Sequence, residues 1–179
     1  MTTVAAYVSK EENRVYMACD SQASNDSYKE FRNDLKILRI PQENPRMLLG
    51  FAGSLSAIQT MMISHISPPT KSDFISMVKY VTDEIRPFLE PLKEIDEDFF
   101  FEMLLAFDGK IFGMQINFCL SELVGNYNAI GSGRDYAIGA LYALDKTPLL
   151  SARDKLIIAL EASCNNDISS GGTINVEYV

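Results

Sequence analysis

The sequence predicts an α+β fold, in the form of a four-layer α/β/β/α sandwich, and three observations lead there. Strands open the chain, two helices follow, then more strands, two further helices and a closing strand. The helices come in pairs, and a pair is enough to cover one outer face of a stacked sheet. One internal strand, within FFFEMLLAF, is apolar on both faces apart from Glu102, as a strand covered on both sides would be. Other α+β arrangements suit the same order of elements.

Thr3 to Val8 is rich in β-favouring residues, the polar turn KEEN follows, and RVYMACD makes a second strand, so the chain opens with a hairpin. The polar stretch SQASNDSYKEFRND is expected to be a loop. LKILRI follows as a strand, then a turn around PQENP and the strand MLLGFAG. Ser54 is placed to cap the next helix, where Leu55, Ile58, Met61 and Met62 recur at helical spacing. The prolines of SPPTKSD interrupt it. The clearest helix carries Phe74, Val78, Val81, Ile85 and Phe88 as one apolar stripe, with Pro87 and Pro91 expected to end it near the solvated segment EIDED. FFFEMLLAFDGKIFGMQIN reads as a second hairpin around the two-residue turn Asp108-Gly109. YNAIGSG leads into a helix containing Tyr136, Ala137, Ala140 and Leu144. SARDKLIIALEASCNN is another helix, and GGTINVEYV closes the chain as a strand.

At 179 residues the chain suits one globular domain spanning 1–179, with no repeat, linker or low-complexity tract. No run of 18 apolar residues occurs, and MTTVAAYVSKEEN lacks the basic and apolar regions of a secretory signal, so no membrane span and a cytoplasmic location are expected. The net charge of −8 without any Lys/Arg-rich run makes nucleic acid an unexpected partner. Cys19, Cys119 and Cys164 are far apart and form no CxxC pair, which speaks against a disulfide framework or a metal site and leaves ordinary buried thiols. No cofactor is called for. The single histidine, His65, falls in a helical stretch where a surface or helix-end position is expected, so a hydrolase built on this chain needs another general base.

The opening Met-Thr-Thr supplies one. Met before a small residue is expected to be trimmed, which would leave Thr2 with a free α-amine beside its own hydroxyl. An unperturbed α-amine has a pKa of about 7.7–8.0, close enough to neutrality to take the proton from Oγ1, directly or through one water. Many cytosolic proteins begin this way without any catalytic reason.

Five segments taken together are more specific. TTVAAYV, ACDSQAS, GFAGSLSA, AIGSGRDYAIGAL and DISSGGTINV stand in this order almost end to end, and the chain resembles the proteasome β-subunit and HslV family of N-terminal nucleophile (Ntn) hydrolases. The resemblance implies Thr2 as the nucleophile, Asp20 as the acid near the centre, and Lys36, sixteen residues after Asp20, as the catalytic lysine. It implies Gly53 in GFAGS as an oxyanion donor through its backbone N–H. Ser132, Asp167 and Ser170 match positions that arrange the N-terminus and hold its proton network. Ala23, Asp34, Phe51 and Leu55 fall where the family builds its specificity pocket, which would be largely apolar with one acid and suit large apolar or basic side chains. Without the resemblance, Asp20 and Lys36 describe an ion pair at a strand end, Gly53 a turn, and DISSGG a turn before a strand. GSG lacks the GxxxxGK[ST] spacing of a phosphate loop. NDLK around Lys36 departs from the basic or small residue that often precedes the family's lysine.

The implied function is a threonine endopeptidase acting on polypeptides in a homo-oligomeric ring, with an AAA+ ATPase unfoldase as the partner the family suggests. A start directly at the nucleophile is closer to HslV, whereas DISSGGTINV is closer to a proteasome β subunit. An inactive structural subunit of the same fold and an Ntn amidase acting on a small molecule are the alternatives.

Overall fold

The computed structural model describes residues 2–24, 29–31 and 36–179. Two antiparallel sheets form its centre. β1 (Thr3–Ser9) and β2 (Arg14–Cys19) make the opening hairpin, flanked by β10 (Tyr127–Gly131) and β11 (Asn175–Tyr178) in the order β10-β1-β2-β11. The second sheet runs β5 (Ile37–Ile40), β6 (Met47–Gly53), β7 (Phe101–Phe107), β8 (Lys110–Gln115) and β9 (Leu120–Glu122), neighbours in that order. A short ribbon pairs β3 (Gln22–Ser24) with β4 (Lys29–Phe31).

The period-2 alternation of each strand sorts its side chains into separate layers. Val4 and Ala6 of β1, Val15 and Met17 of β2, Leu48 and Ala52 of β6, and Leu104 and Ala106 of β7 meet between the two sheets. The alternate residues Ala5, Tyr7, Tyr16 and Ala18 face the other way, onto α5 (Arg134–Leu144) and α6 (Ala152–Asn166). Leu49, Phe51, Phe101, Met103 and Leu105 face α1 (Leu55–Ile63), α2 (Phe74–Tyr80) and α3 (Arg86–Leu89). The result is the four-layer α/β/β/α order. The sheets approach so closely at Gly50 that a Cβ there would lie 2.6 Å from Met17 Sδ and 2.7 Å from Val4 Cγ1.

Several local expectations are corrected. The polar stretch after Asp20, expected to be a loop, contains the β3–β4 ribbon, while its positions 25–28 and 32–34 lie outside the described residues; β9 and β10 are strands that the sequence pattern did not announce. Ser54 stands at the head of α1 without capping it, because its hydroxyl accepts the Phe100 N–H instead. The apolar stripe of the long helix is shifted. Val81 and Ile85 are buried, but Phe74, Val78 and Phe88 are more than a third exposed, and Met77, Tyr80 and Leu89 take their places. A π-helical turn at Val81–Ile85, closed by the Arg86 N–H on the Val81 carbonyl, adds a residue and moves the inward position from Phe88 to Leu89. Pro87 does not end the helix; it sits in the first turn of α3, where its missing N–H costs little. Pro91 precedes α4 (Leu92–Ile95), so part of EIDED is helical. Among the cysteines only Cys19 is fully buried, and burial pushes its thiol up to about 12. Cys119 is exposed and Cys164 half-buried.

Candidate active site

Thr2 stands at the head of β1, the strand held between β2 and β10, and Thr3 pairs with Gly131 across the β1–β10 ladder. Asp20 follows the end of β2, which brings its carboxylate beside the start of the neighbouring strand. Lys36 lies just before β5 in the other sheet, where its carbonyl accepts the Phe51 N–H at 2.9 Å. The three side chains meet. Thr2 Oγ1 donates to Asp20 Oδ1 at 2.5 Å, and Lys36 Nζ donates to Thr2 Oγ1, to Asp20 Oδ1 at 2.8 Å and to the Gln22 carbonyl at 2.5 Å. All three ammonium hydrogens are thereby used. Thr2, Asp20 and Lys36 are 4%, 0% and 7% exposed, so this charge pair is almost wholly removed from water.

Burying a carboxylate is tolerable only when its lone pairs are satisfied. Asp20 Oδ1 also accepts the Thr3 N–H at 2.9 Å, while Oδ2 accepts the N–H groups of Gln22 at 3.2 Å and Gly171 at 2.9 Å. Five donors surround it. They come from Thr2 and Thr3 at the head of β1, from Gln22 at the start of β3, from Lys36 before β5 and from Gly171 before β11.

A second polar cluster lies behind Thr2. The Ser132 N–H donates to the Thr2 carbonyl at 2.9 Å, and Ser132 Oγ donates to Asp167 Oδ2 at 2.6 Å. Ser170 Oγ donates to the same oxygen at 2.6 Å, which spends its only hydrogen. Thr3 Oγ1, 2.7 Å from Ser170 Oγ, must therefore be the donor of that pair. Burial pushes Asp167 up, but the hydroxyls of Ser132 and Ser170 and the Ser169 N–H outweigh it and hold the carboxyl below the usual range.

A cleft of about 360 Å³ opens beside Thr2 and Lys36. Ala23, Phe51, Leu55 and Ile58 supply its apolar walls, and Glu30 and Asp96 bring carboxylates. Gly53 lines it at the end of β6. Its φ of +119° and the Phe100 carbonyl, into which a Cβ would run, restrict the position to glycine. The Phe51 N–H points toward Lys36, so strand alternation carries the Gly53 N–H to the same edge, past the start of β5.

No protein-family model matches the chain, and no curated protein matches it in sequence. Solved structures do match over its whole length. Thiobacillus denitrificans BPH in complex with epoxomicin superposes with a TM-score of 0.81 at 22% identity, covering 99% of this chain and 98% of that one. Eukaryotic HslV from Trypanosoma brucei gives 0.71 at 18% identity, covering 99% and 98%. Anbu (ancestral beta-subunit) from Yersinia bercovieri gives 0.74 at 16% identity, covering 99% of this chain and 81% of that one. The chain has the proteasome-like Ntn-hydrolase fold.

Within the proteasome-like fold, Thr2, Asp20 and Lys36 touch, Ser132, Asp167 and Ser170 form one network behind them, and Gly53, Ala23, Phe51 and Leu55 line the cleft. Asp34 lies outside the described residues. The structure adds Thr3, Gln22, Gly171, Glu30, Asp96 and Glu102, which sequence reasoning did not place at the site. Gln22 and Gly171 act through backbone groups, which leave no side-chain signature; the glycine pair in SSGG was the available hint. Among the described residues no group of three His, Cys, Asp or Glu side chains is placed to hold a metal ion, and no helix is long and apolar enough to cross a membrane.

Proposed function

We propose that the chain is an N-terminal threonine endopeptidase. One observation carries the reading: Thr2 Oγ1 is gripped by Lys36 Nζ and Asp20 Oδ1 at the edge of a cleft that Gly53 also lines. Removal of Met1 places an α-amine on Thr2. That amine takes the Oγ1 proton as Oγ1 attacks the scissile carbonyl, and the adjacent ammonium of Lys36 favours the developing alkoxide. The tetrahedral oxyanion accepts the Gly53 N–H, a kind of donor worth on the order of 3 kcal/mol. Collapse expels the amine product, which takes the proton held by the Thr2 amine, and leaves an ester on Oγ1. Water, deprotonated by the same amine, hydrolyses the ester and returns the hydroxyl.

The same reading makes Ser132, Asp167 and Ser170 the group that holds the new N-terminus, with Ala23, Phe51 and Leu55 receiving the substrate side chain and Asp34 belonging to the same pocket. It further takes the working form to be a homo-oligomeric ring in the cytoplasm, fed with polypeptides by an AAA+ unfoldase.

A peptide epoxyketone such as epoxomicin, the compound bound to Thiobacillus denitrificans BPH, tests this directly. It requires a hydroxyl and a free amine on one residue. Intact mass should show a chain without Met1 carrying one adduct, lost in Thr2→Ala. A folded chain without Met1 and without adduct sinks the peptidase reading in favour of a structural subunit or an amidase. Size measurement of the native particle tests the ring.

A further inference from the structure

Glu102 is the only charged residue of β7, and strand alternation points it with Leu104 and Ala106 into the apolar layer between the sheets. It is 7% exposed. Oε2 accepts the Gly131 N–H at 2.8 Å, and Oε1 pairs with Arg134 Nη1 at 3.1 Å. The first of these bonds crosses from one sheet to the other.

The crossing point matters because the two halves of the site belong to different sheets. Thr2 and Ser132 sit at ends of β1 and β10, whereas Gly53 ends β6. Glu102 pairs with Ala52, the neighbour of Gly53, in the β6–β7 ladder. On the other side it holds Gly131, and the next residue, Ser132, donates its N–H to the Thr2 carbonyl. Gly131 itself has no room for a side chain, since a Cβ would strike the Thr2 carbonyl oxygen and lie 3.1 Å from Ala52 Cβ. One carboxylate thus stands two residues from the nucleophile's anchor and one strand from the glycine donor.

The bond to Gly131 supports the fold, but a neutral acceptor would serve that purpose as well as a charge. The Arg134 end of the pair is half exposed, and such a pair is weak support for a fold. We propose that Glu102 is a positioning residue, which by clamping Gly131 across the two sheets sets the Thr2 hydroxyl in register with the Gly53 N–H. The proposal rests on Thr2 being the nucleophile.

The test compares Glu102→Ala, Glu102→Leu, Glu102→Gln and Arg134→Ala with the wild type, measuring kcat and KM on a fluorogenic peptide and the rate of epoxyketone adduct formation. A displacement of order 1 Å away from the chemistry can cost about 100-fold, so Ala and Leu should lower kcat and adduct rate by about 10- to 100-fold with KM within about threefold. Glutamine keeps an acceptor for the Gly131 N–H and should recover most of the loss. Arg134→Ala should slow turnover by less than about fivefold, because the cross-sheet bond survives it. A purely structural clamp would lower the melting temperature and leave kcat per folded molecule unchanged. Wild-type kcat and adduct rate in folded Glu102→Ala or Glu102→Leu would overturn the proposal while leaving the threonine reading intact. Absence of any adduct on the wild type, processed and folded, would overturn both.

Discussion

The two ends of β1 hold the same three kinds of group in a different order. At the Thr2 end, a buried lysine touches both an aspartate and a hydroxyl, and the hydroxyl also touches the aspartate. At the other end, Lys155 Nζ donates to the Tyr7 hydroxyl at 3.1 Å, and that hydroxyl donates to Asp145 Oδ1 at 2.6 Å. Here the hydroxyl lies between cation and anion. Burial, reinforced by the hydrogen bond to Asp145, pushes the Tyr7 phenol well above its ordinary value, while the Tyr7 hydroxyl holds Asp145 below its own. Tyr7 is thereby kept protonated as a strut between β1, α6 and the segment after α5. A hollow of about 260 Å³ adjoins it, so the presence of a cavity does not separate the two regions. The order of the groups does. Both hydroxyls accept from an ammonium and donate to a carboxylate, but at the Thr2 end the lysine also grips the aspartate directly, whereas at the Tyr7 end the hydroxyl joins the two.

The largest effect that would break this comparison is at Thr2. Thr2→Ala should reduce peptide turnover by about 10⁴-fold or more, to background, and Lys36→Ala by about 10³-fold, both measured as kcat/KM on processed, folded protein. Equal turnover in Lys36→Ala and the wild type would show that the lysine is an ordinary strand-end ion partner. Tyr7→Phe should leave kcat unchanged but lower stability in urea by about 1–3 kcal/mol, since Lys155 and Asp145 lose the hydroxyl joining them. A fall in kcat there would mean that the far end communicates with the site.

Acid titration sharpens the picture by a smaller amount. Asp167 and Asp145 are both held below their ordinary values in the folded chain. The stability each contributes is complete above the unfolded value of about 3.9 and is lost as pH falls through the lower folded one. Asp167→Asn should therefore lower the urea midpoint at neutral pH and flatten its decline below about pH 4; a decline as steep as the wild type's would remove Asp167 from the acid response. The smallest effect is in thiol labelling. Exposed Cys119 should react with iodoacetamide first, while Cys19, buried and pushed up to about 12, should react only on unfolding.

The layered architecture was legible because a strand apolar on both faces, as in FFFEMLLAF, marks one covered on both sides, and Asp108-Gly109 marks the hairpin turn that follows it. Short strands with half-buried faces, such as β3 and β9, carry no such mark and escaped notice. The π turn at Val81–Ile85 shifted a stripe whose spacing looked complete, because spacing counts residues and the backbone there uses one more per turn. At the site, the segments that carry them brought out Thr2, Asp20, Ser132, Asp167 and Ser170, and Lys36 was placed by its distance of sixteen residues from Asp20 in spite of its unusual neighbours. Glu102 stood out in the sequence as the one polar residue of its strand. Its bond to Gly131 depends on two sheets stacking, which no local pattern encodes.

The donors around Asp20 also bear on when the centre comes into being. Gly171 is 151 residues away along the chain, and its N–H supplies one of the five bonds to that carboxylate. Contacts so distant in sequence carry a large loop-closure cost and tend to form late. A chain emerging from the ribosome can pair β1 with β2 early, yet it leaves the Asp20 carboxylate incompletely coordinated until the segment before β11 has docked. The arrangement around Asp20 is thus coupled to synthesis of the chain as far as Gly171, and a chain made only to an earlier point carries it unfinished.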